Sequence, residues 1–265
     1  MKKWLVVLIV IAIALYIGNY GIKTTEITVE SDKIPTAFSG LKIVQISDLH
    51  DATFGERQEK LAKKIRNADP DLIFLTGDLI DSNRYDLENS LDIVRQIISL
   101  APVYYVTGNH EIATNDVEHI KSSLKNIGVV VLSNEETTIE KDGEQLRIIG
   151  IEDPLSGVSV ADALSTFKKV DNYTLMLSHR PETFQDYVNS GVNLVFAGHA
   201  HGGQFRIPGL GGLVAPGQGL LPKYTAGVYT ENETNMIVSR GLGNSVIPIR
   251  VFNTPEIIVV SLKAT

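Results

Sequence analysis

The amino-acid sequence predicts an α/β fold in which two β-sheets are sandwiched between helices. Three observations predict it: short β-branched runs bounded by turns, helical spacing between these runs, and a hairpin signal in mid-chain. The runs are LKIVQIS, DLIFLT, PVYYVT, NYTLMLS and VNLVFA. If these strands lie parallel, the polar residues that follow them emerge at one carboxyl edge, where open α/β sheets place their ligands.

Composition limits the domain organisation and the class of partner. The chain has 265 residues, 43% of them hydrophobic, which is enough for one sizeable core and predicts a single globular domain over 41–265. A net charge of -7 without a dense Lys/Arg run makes nucleic acid an unexpected partner. The absence of cysteine excludes disulfides, thiolate zinc sites and cysteine nucleophiles. The oligomeric state is left open.

The first 22 residues differ from the rest of the chain and predict a transmembrane anchor at 1–22. An uncharged stretch follows Lys2 and Lys3, and its length as a helix, roughly 28 Å at ~1.5 Å per residue, approaches the ~30 Å of a bilayer core. The two lysines favour a cytoplasmic N-terminus, so the catalytic domain is expected outside the cytoplasm, anchored by a single pass. A signal peptide cleaved near Ala12 to Ala14, giving a secreted protein, is the alternative.

The remaining elements are predicted from spacing and turn residues. Residues 23–40 are expected to form a connector and an edge strand. Lys141-Asp-Gly143 predicts a hairpin between two of the strands. Helices are predicted at 55–68, 85–100, 115–127, 158–170 and 181–190, and further strands at 129–131, 137–140, 146–151, 235–239 and 256–262.

Residues 202–227 contain eight glycines and three prolines and predict a long loop beside the proposed site, either functional or disordered.

Five polar motifs follow the five predicted strands and carry residues typical of metal ligands. They are Asp48-Leu-His50, Gly77-Asp78-Leu-Ile-Asp81, Gly108-Asn109-His110-Glu111, Ser178-His179 and Gly198-His199-Ala-His201. Taken singly, the carboxylates are equally typical of turns and caps, Asn109 of a left-handed turn, and His179 of a buried core histidine. Five of the six histidines nevertheless fall in these motifs, which together indicate a dinuclear metal site for phosphate-ester hydrolysis.

The ordered set of motifs resembles the calcineurin-like metallophosphoesterases, whose pattern is D-x-H, G-D-x-x-D, G-N-H-[DE], a lone H and G-H-x-H. The resemblance implies a four-layer sandwich of two mixed β-sheets flanked by helices. It also implies two divalent ions. One is held by Asp48, His50 and His201 and the other by Asn109, His179 and His199, with Asp78 bridging. Oxygen and nitrogen ligands without sulfur suit Mn, Fe or Zn, and the identity of the metal stays open.

Two further residues are expected to act in catalysis. Two cations generate hydroxide from a shared water near neutral pH and neutralise the phosphoryl oxygens. His110 adjoins a ligand without being needed as one, so it is the candidate to protonate the leaving group or to brace the transition state. The resemblance suggests that Asp81 holds the His110 ring, and an N-cap of the following helix is the alternative for Asp81.

The anchor and the stretch 198–204 resemble the bacterial membrane-associated branch of this family, which includes UDP-diacylglucosamine pyrophosphate hydrolases. This predicts a lipid-linked or envelope phosphate ester as substrate, with phosphate contacts from Arg180, Arg206 and Lys223. Four leucines of the Gly-rich loop either contact acyl chains or pack over the core: Leu210, Leu213, Leu220 and Leu221. A non-catalytic scaffold for protein binding, or a purely structural envelope protein, are the rival readings, and the choice between monoester and diester stays open.

Overall fold

The computed structural model describes residues 4, 5, 9, 12, 15, 16 and 18–265. Half of the residues of the expected N-terminal anchor, 1–22, therefore lie outside the described residues. Among the residues that are described, no helix has both the length and the apolar character needed to cross a membrane.

The described part of the chain alternates strands and helices. The strands are β1 Lys23–Ser31, β2 Lys42–Ile46, β3 Leu72–Thr76, β4 Val103–Val106, β5 Val130–Val131, β6 Glu135–Lys141, β7 Glu144–Gly150, β8 Thr174–Leu177, β9 Leu194–Ala197, β10 Arg206–Ile207, β11 Gly211–Gly212, β12 Val214–Ala215, β13 Gly219–Leu220, β14 Gly227–Glu231, β15 Thr234–Val238 and β16 Glu256–Ala264. The α-helices are α1 Glu59–Ala68, α2 Leu87–Ile97, α3 Asn109–Ala113, α4 Val117–Ile127, α5 Val160–Ser165 and α6 Phe184–Ser190.

Two six-stranded sheets form the centre of the molecule. The first has the order β1-β16-β2-β3-β4-β5 and the second the order β14-β15-β9-β8-β7-β6. Strands β2 to β5 run parallel, as do β7, β8, β9 and β15, while the pairs β16·β2, β6·β7 and β14·β15 are antiparallel. Both sheets are therefore mixed, as the sequence predicts.

The two sheets pack face to face through a largely apolar layer. Phe74 of β3 meets Phe196 of β9 edge to face, with ring centroids 4.9 Å apart, and Ile43, Leu175 and Ile237 are buried in the same layer. On the outer faces, apolar residues of α1, α2 and α4 cover the first sheet, and those of α5 and α6 cover the second. Helix, sheet, sheet and helix form four layers, and this arrangement confirms the predicted α/β fold.

The structure differs from the sequence expectations in three places. The five runs do not share one sheet, since β2, β3 and β4 lie in the first sheet and β8 and β9 in the second. The edge strand β14 was not predicted, because its alternating half-buried pattern follows directly on the Gly-rich loop. That loop is not free of secondary structure: it forms two antiparallel pairs of two residues each, β10·β11 and β12·β13.

Candidate metal centre

The carboxyl ends of β2, β3, β4, β8 and β9 meet at one end of the sandwich and bring the predicted ligands together. Their buried side chains form two clusters, within each of which the ligand-type atoms lie within 4.8 Å of one another. The first cluster contains Asp48, His50, Asp78 and His201, and the second contains Asp78, His179 and His199. Asp78 is the member they share.

Distances around Asp78 suit a bridging carboxylate. Its Oδ2 atom lies 3.5 Å from Nε2 of His50 in the first cluster and 3.1 Å from Nε2 of His179 in the second. In the first cluster, Nε2 of His201 lies 3.1 Å from Nε2 of His50 and 3.5 Å from Oδ1 of Asp48. A carboxylate with two oxygens can bind two cations at once, which a neutral side chain does poorly.

The ligand loops leave their strands with a sharp reversal of the backbone. Five of the cluster residues have positive φ, which is uncommon for residues with a side chain: Asp48 (51°), His50 (49°), Asp78 (51°), His199 (64°) and His201 (47°). Such strain persists only where surrounding contacts hold it. Here the loops after β2 and β3 hold each other, because the N–H groups of Asp48 and His50 donate to the carbonyls of Gly77 and Asp78, at 3.0 and 3.1 Å.

Two glycines permit the close approach of the loops. A Cβ atom on Gly108 would stand 2.2 Å from Oδ1 of Asp78, and one on Gly198 would stand 2.5 Å from Oδ2 of Asp48. Both distances are far inside van der Waals contact. Any side chain at these positions would therefore displace a cluster carboxylate.

Glu111 is a residue of the site to which the sequence reasoning gave no role. Its buried carboxylate accepts four backbone N–H bonds, from Asp78 (2.9 Å), Leu79 (2.6 Å), Ile80 (3.1 Å) and Gly108 (2.7 Å). Burial, together with the nearby Asp78 charge, raises the pKa of Glu111 to about 7 against the opposing effect of these bonds. Glu111 thus fixes the Asp78 loop to α3. The available signal was its place as fourth member of the Gly108 motif.

His179 is oriented by a backbone carbonyl. Its Nδ1 atom lies 2.8 Å from the carbonyl oxygen of Thr76 and must donate to it, so Nε2 is left for Asp78 and a cation. Burial lowers the pKa of His179, but the Asp78 carboxylate outweighs burial and raises it to about 10. Burial raises the pKa of Asp78, but the charge of His179, its hydrogen bond to Asp78 and the charges of His50 and His110 together outweigh burial and lower that pKa well below its ordinary value. A cation bound here takes the place of the proton on Nε2.

The other three cluster histidines favour the neutral form, which is the form that binds metal. Burial lowers the pKa of His50, His199 and His201 below its ordinary value. Neutral imidazoles beside ionised carboxylates are the protonation states that metal ligation requires.

Two buried oxygen atoms of the predicted ligands lack a hydrogen-bond partner and could bind a cation. Among the described residues, Oδ2 of Asp48 and Oδ1 of Asn109 are buried without a hydrogen-bond partner. Buried acceptors of this kind are costly unless they find a partner, and a divalent ion supplies one. Carboxylate, amide and imidazole donors suit Mn, Fe or Zn equally, so the donor set leaves the identity of the metal open.

His110 lies against the first cluster, with its ring centroid 4.5 Å from that of His50. The backbone N–H of Ser82 donates to its Nδ1 at 3.0 Å, while its Nε2 lies 3.1 Å from Oγ of Ser245. Asp81 approaches Nδ1 to 3.5 Å, which is longer than a hydrogen bond, and its carboxylate binds Arg84 (2.8 Å to Nε). The N-cap of α2 is Asp86, so the alternative role of Asp81 as that cap is not observed.

The three residues predicted to contact phosphate differ in their partners and in their distance from the metal ligands. Arg180 donates from Nε and Nη2 to the two carboxylate oxygens of Asp153, and its Nη1 lies 2.9 Å from Nε2 of His199. Arg206 donates to the carbonyl of Gly202 and braces the Gly-rich loop. Lys223 is exposed and lies over the ring of Tyr224.

A cavity of about 360 Å³ opens onto both clusters. Its polar wall includes Asp78, Asn109, His110, His199 and His201. Its apolar wall is formed by Val214, Ala215, Pro216, Val246 and Ile247. Arg206 and Lys223 are not among the described residues that line it. The segment 241–250 carries no periodicity or ligand motif, which explains why this wall was not predicted.

Comparison with known proteins agrees with this geometry. The family model described as calcineurin-like phosphoesterase matches residues 41–203. The uncharacterized metallophosphoesterase YkuE of Bacillus subtilis is 32% identical over 95% of this chain and 89% of its own length. The phosphodiesterase YaeI of Escherichia coli is 28% identical over 83% and 82%. The phosphopantetheinyl hydrolase PptH of Mycobacterium tuberculosis has a similar fold, with a TM-score of 0.50, 12% identity, and coverage of 77% of this chain and 91% of that one.

We expect Glu111→Gln to destabilise the protein by about 1–3 kcal/mol, because a side-chain amide cannot accept at both positions and leaves buried N–H groups unpaired. Urea unfolding of the metal-free protein measures this. Glu118→Gln on the exposed face of α4 is the control and should change the free energy of unfolding by less than about 0.5 kcal/mol. Equal stability of the two variants would show that Glu111 does not hold the Asp78 loop.

Proposed function

The chain belongs to the calcineurin-like phosphoesterase family of metal-dependent hydrolases, and from this membership we propose that it hydrolyses a phosphodiester or pyrophosphate bond of a lipid-linked or envelope substrate. The observation that carries the proposal is the pair of buried ligand clusters sharing Asp78. Further support comes from the cavity, which opens onto both clusters and has one apolar wall.

In this proposal, the first ion is held by Asp48, His50 and His201 and the second by Asn109, His179 and His199, with Asp78 contacting both. When bound, the two ions supply a hydroxide nucleophile and neutralise charge on the phosphoryl oxygens. The protein contributes the fixed geometry. Because the loops after β2 and β3 hydrogen-bond to each other, the ligands need little rearrangement to bind.

His110 braces the transition state by donating a hydrogen bond to the leaving oxygen. Since the Ser82 N–H occupies Nδ1, the neutral ring carries its proton on Nε2, beside Ser245 and on the cavity wall. As the bond between phosphorus and the leaving oxygen breaks, the Nε2–H group donates a hydrogen bond to that oxygen and stabilises its negative charge, and solvent water supplies the proton with which it leaves. Asp81 acts as a positioning residue, because its carboxylate accepts from Asn83 and Arg84 and shapes the turn that presents the Ser82 N–H.

Arg180 is proposed to contact a phosphoryl oxygen. Its guanidinium is fixed by Asp153 and reaches the edge of the second cluster at His199, so it places positive charge where negative charge develops. Arg206 and Lys223 are proposed to act further out, on the Gly-rich loop, toward a second phosphate or a headgroup.

The lipid-linked substrate is proposed from three supports. The apolar cavity wall suits a hydrocarbon group next to the scissile phosphate. The YaeI relative is named a phosphodiesterase. The uncharged sequence at 4–22 suits a membrane anchor that holds the domain outside the cytoplasm, with secretion after cleavage as the alternative. On these supports we propose that the chain is related to the UDP-diacylglucosamine pyrophosphate hydrolase branch.

We expect His110→Ala to bind metal as the wild type does while losing roughly 10²–10³-fold in kcat, as removal of a hydrogen-bond donor to developing negative charge does. Turnover of a p-nitrophenyl phosphodiester with Mn²⁺ and elemental analysis of the same sample measure both properties. His119→Ala, on the exposed face of α4, is the matched control and should keep wild-type turnover. A parallel loss of metal would instead make His110 a ligand.

The substrate proposal is tested with the metal-loaded full chain on a panel of soluble diesters, soluble monoesters, nucleotide-sugar diphosphates and their acylated counterparts. We expect diesters or pyrophosphates to exceed monoesters in kcat/KM, and acylated compounds to exceed soluble ones. Equal rates on acylated and soluble compounds would contradict the lipid-linked substrate. Complete inactivity of the metal-loaded protein would favour the non-catalytic scaffold.

A further inference from the structure

Exposed apolar side chains occur in the two segments that supply the apolar wall of the cavity. Leu210, Leu220 and Leu221 come from the Gly-rich loop, and Val246, Ile249 and Phe252 come from the segment that precedes β16. Their exposed fractions run from 48% for Ile249 to 85% for Val246. These six residues are called the apolar rim below. The three leucines do not pack over the core, which was one of the alternatives for them.

The two parts of the apolar rim are joined by backbone contacts and continue into the cavity. The N–H of Arg206 donates to the carbonyl of Val251 at 2.9 Å, and Nε2 of Gln204 donates to the carbonyls of Ile247 and Ile249 at 2.8 and 2.7 Å. Val246 lines the cavity together with His110. The two segments that carry the rim are therefore held together, and Val246 extends the rim to the cavity that holds the candidate metal centre.

The N-terminal segment meets the domain at this same surface. The N–H of Arg250 donates to Oδ1 of Asn19 at 2.7 Å, and Nδ2 of Asn19 donates to the carbonyl of Arg250 at 3.1 Å. In sequence Arg250 lies between the rim residues Ile249 and Phe252, and its buried guanidinium donates to the backbone carbonyl of Arg240 and to Oδ1 of Asn244. The uncharged sequence at 4–22 thus joins the domain beside the rim, and Tyr16 and Tyr20 in it are exposed.

The two segments that supply the rim contain no acidic residue of their own. No Asp or Glu occurs at 202–230 or at 234–255, although the chain contains 31 acidic residues. The exposed Lys223 lies in the first of these ranges. An anionic phospholipid surface repels carboxylates and attracts lysine, so this distribution suits contact with such a surface.

From this geometry we infer that the apolar rim docks on an anionic phospholipid bilayer, with the mouth of the cavity facing the membrane. Clusters of exposed apolar side chains mark the sites at which a domain contacts another protein or a membrane. With the N-terminal segment in the same bilayer, the rim lies at headgroup level and the phosphate of a lipid can reach the metal centre without leaving the membrane. The inference deepens the proposed function and rests on it for its purpose, but the docking itself requires no catalysis.

The absence of native cysteine allows a direct test with single labels. Leu220→Cys, Val246→Cys and Phe252→Cys are each labelled with an NBD fluorophore in the full chain, reconstituted in vesicles of phosphatidylcholine and phosphatidylglycerol. Lys141→Cys is the matched control, because Lys141 ends β6 in a hairpin at the amino end of the parallel strands, opposite the cavity. Thermal unfolding checks that all four variants are folded.

We expect the three rim labels to shift to shorter wavelength and to be quenched by nitroxide lipids, while the Lys141 label is quenched by aqueous iodide. Rim labels as accessible to iodide as the control would overturn docking. Docking would also be overturned if, in the absence of vesicles, the rim labels became less accessible to iodide as the protein concentration rose. That result would show that a second copy of the chain covers the rim. If the rim labels insert in the membrane but the protein hydrolyses no ester, docking is supported and the proposed function is contradicted. If the rim labels stay exposed to water but the protein is an active esterase, docking is contradicted and the proposed function is supported.

Discussion

The carboxylate of Asp78 is the group on which the arrangement of the site depends. It lies within 3.5 Å of an imidazole nitrogen in each of the two clusters and is fully enclosed. A buried carboxylate is stable only with strong partners, and here those partners are His50, His179 and the N–H of His110 (2.8 Å to Oδ1). The left-handed backbone at Asp78, the glycine at 108 and the four N–H bonds to Glu111 all serve to hold this one side chain. The layers of the fold bring those supports together from five strand ends.

Much of the fold and the site follows from local sequence. Buried strands such as β3 and β9 are short apolar runs ending at a glycine or a polar residue, so their positions and the ligand loops after them can be predicted from periodicity and turn chemistry. The grouping of the runs into two sheets could not be predicted in this way. The grouping depends on which strand faces pack against each other. In the sequence, Phe74 and Phe196 cannot be distinguished from any other buried aromatic residue.

Supporting residues were harder to predict than ligands. Glu111 resembles any acidic residue in the first turn of a helix, and only the tertiary structure shows it accepting from four N–H groups. Ser82 acts through its backbone, which leaves no signature in the side-chain sequence. The cavity wall at Val246 and Ile247 belongs to a segment without periodicity, held in place by the buried Arg250. The rim residues Val246, Ile249 and Phe252 come from this same segment. Reaction class is thus encoded in motifs, whereas surroundings of the substrate are encoded in long-range contacts.

If the Asp78 carboxylate is shared by two metal ions, its removal should reduce the number of ions bound per chain. The most direct measurement is elemental analysis of the purified full chain after reconstitution with Mn²⁺, comparing the wild type with Asp78→Ala. The account predicts about two ions per wild-type chain and the loss of the dinuclear site in the variant, because both clusters lose a ligand together. Two ions retained by Asp78→Ala would contradict the bridging role of Asp78 and with it the central claim about this site.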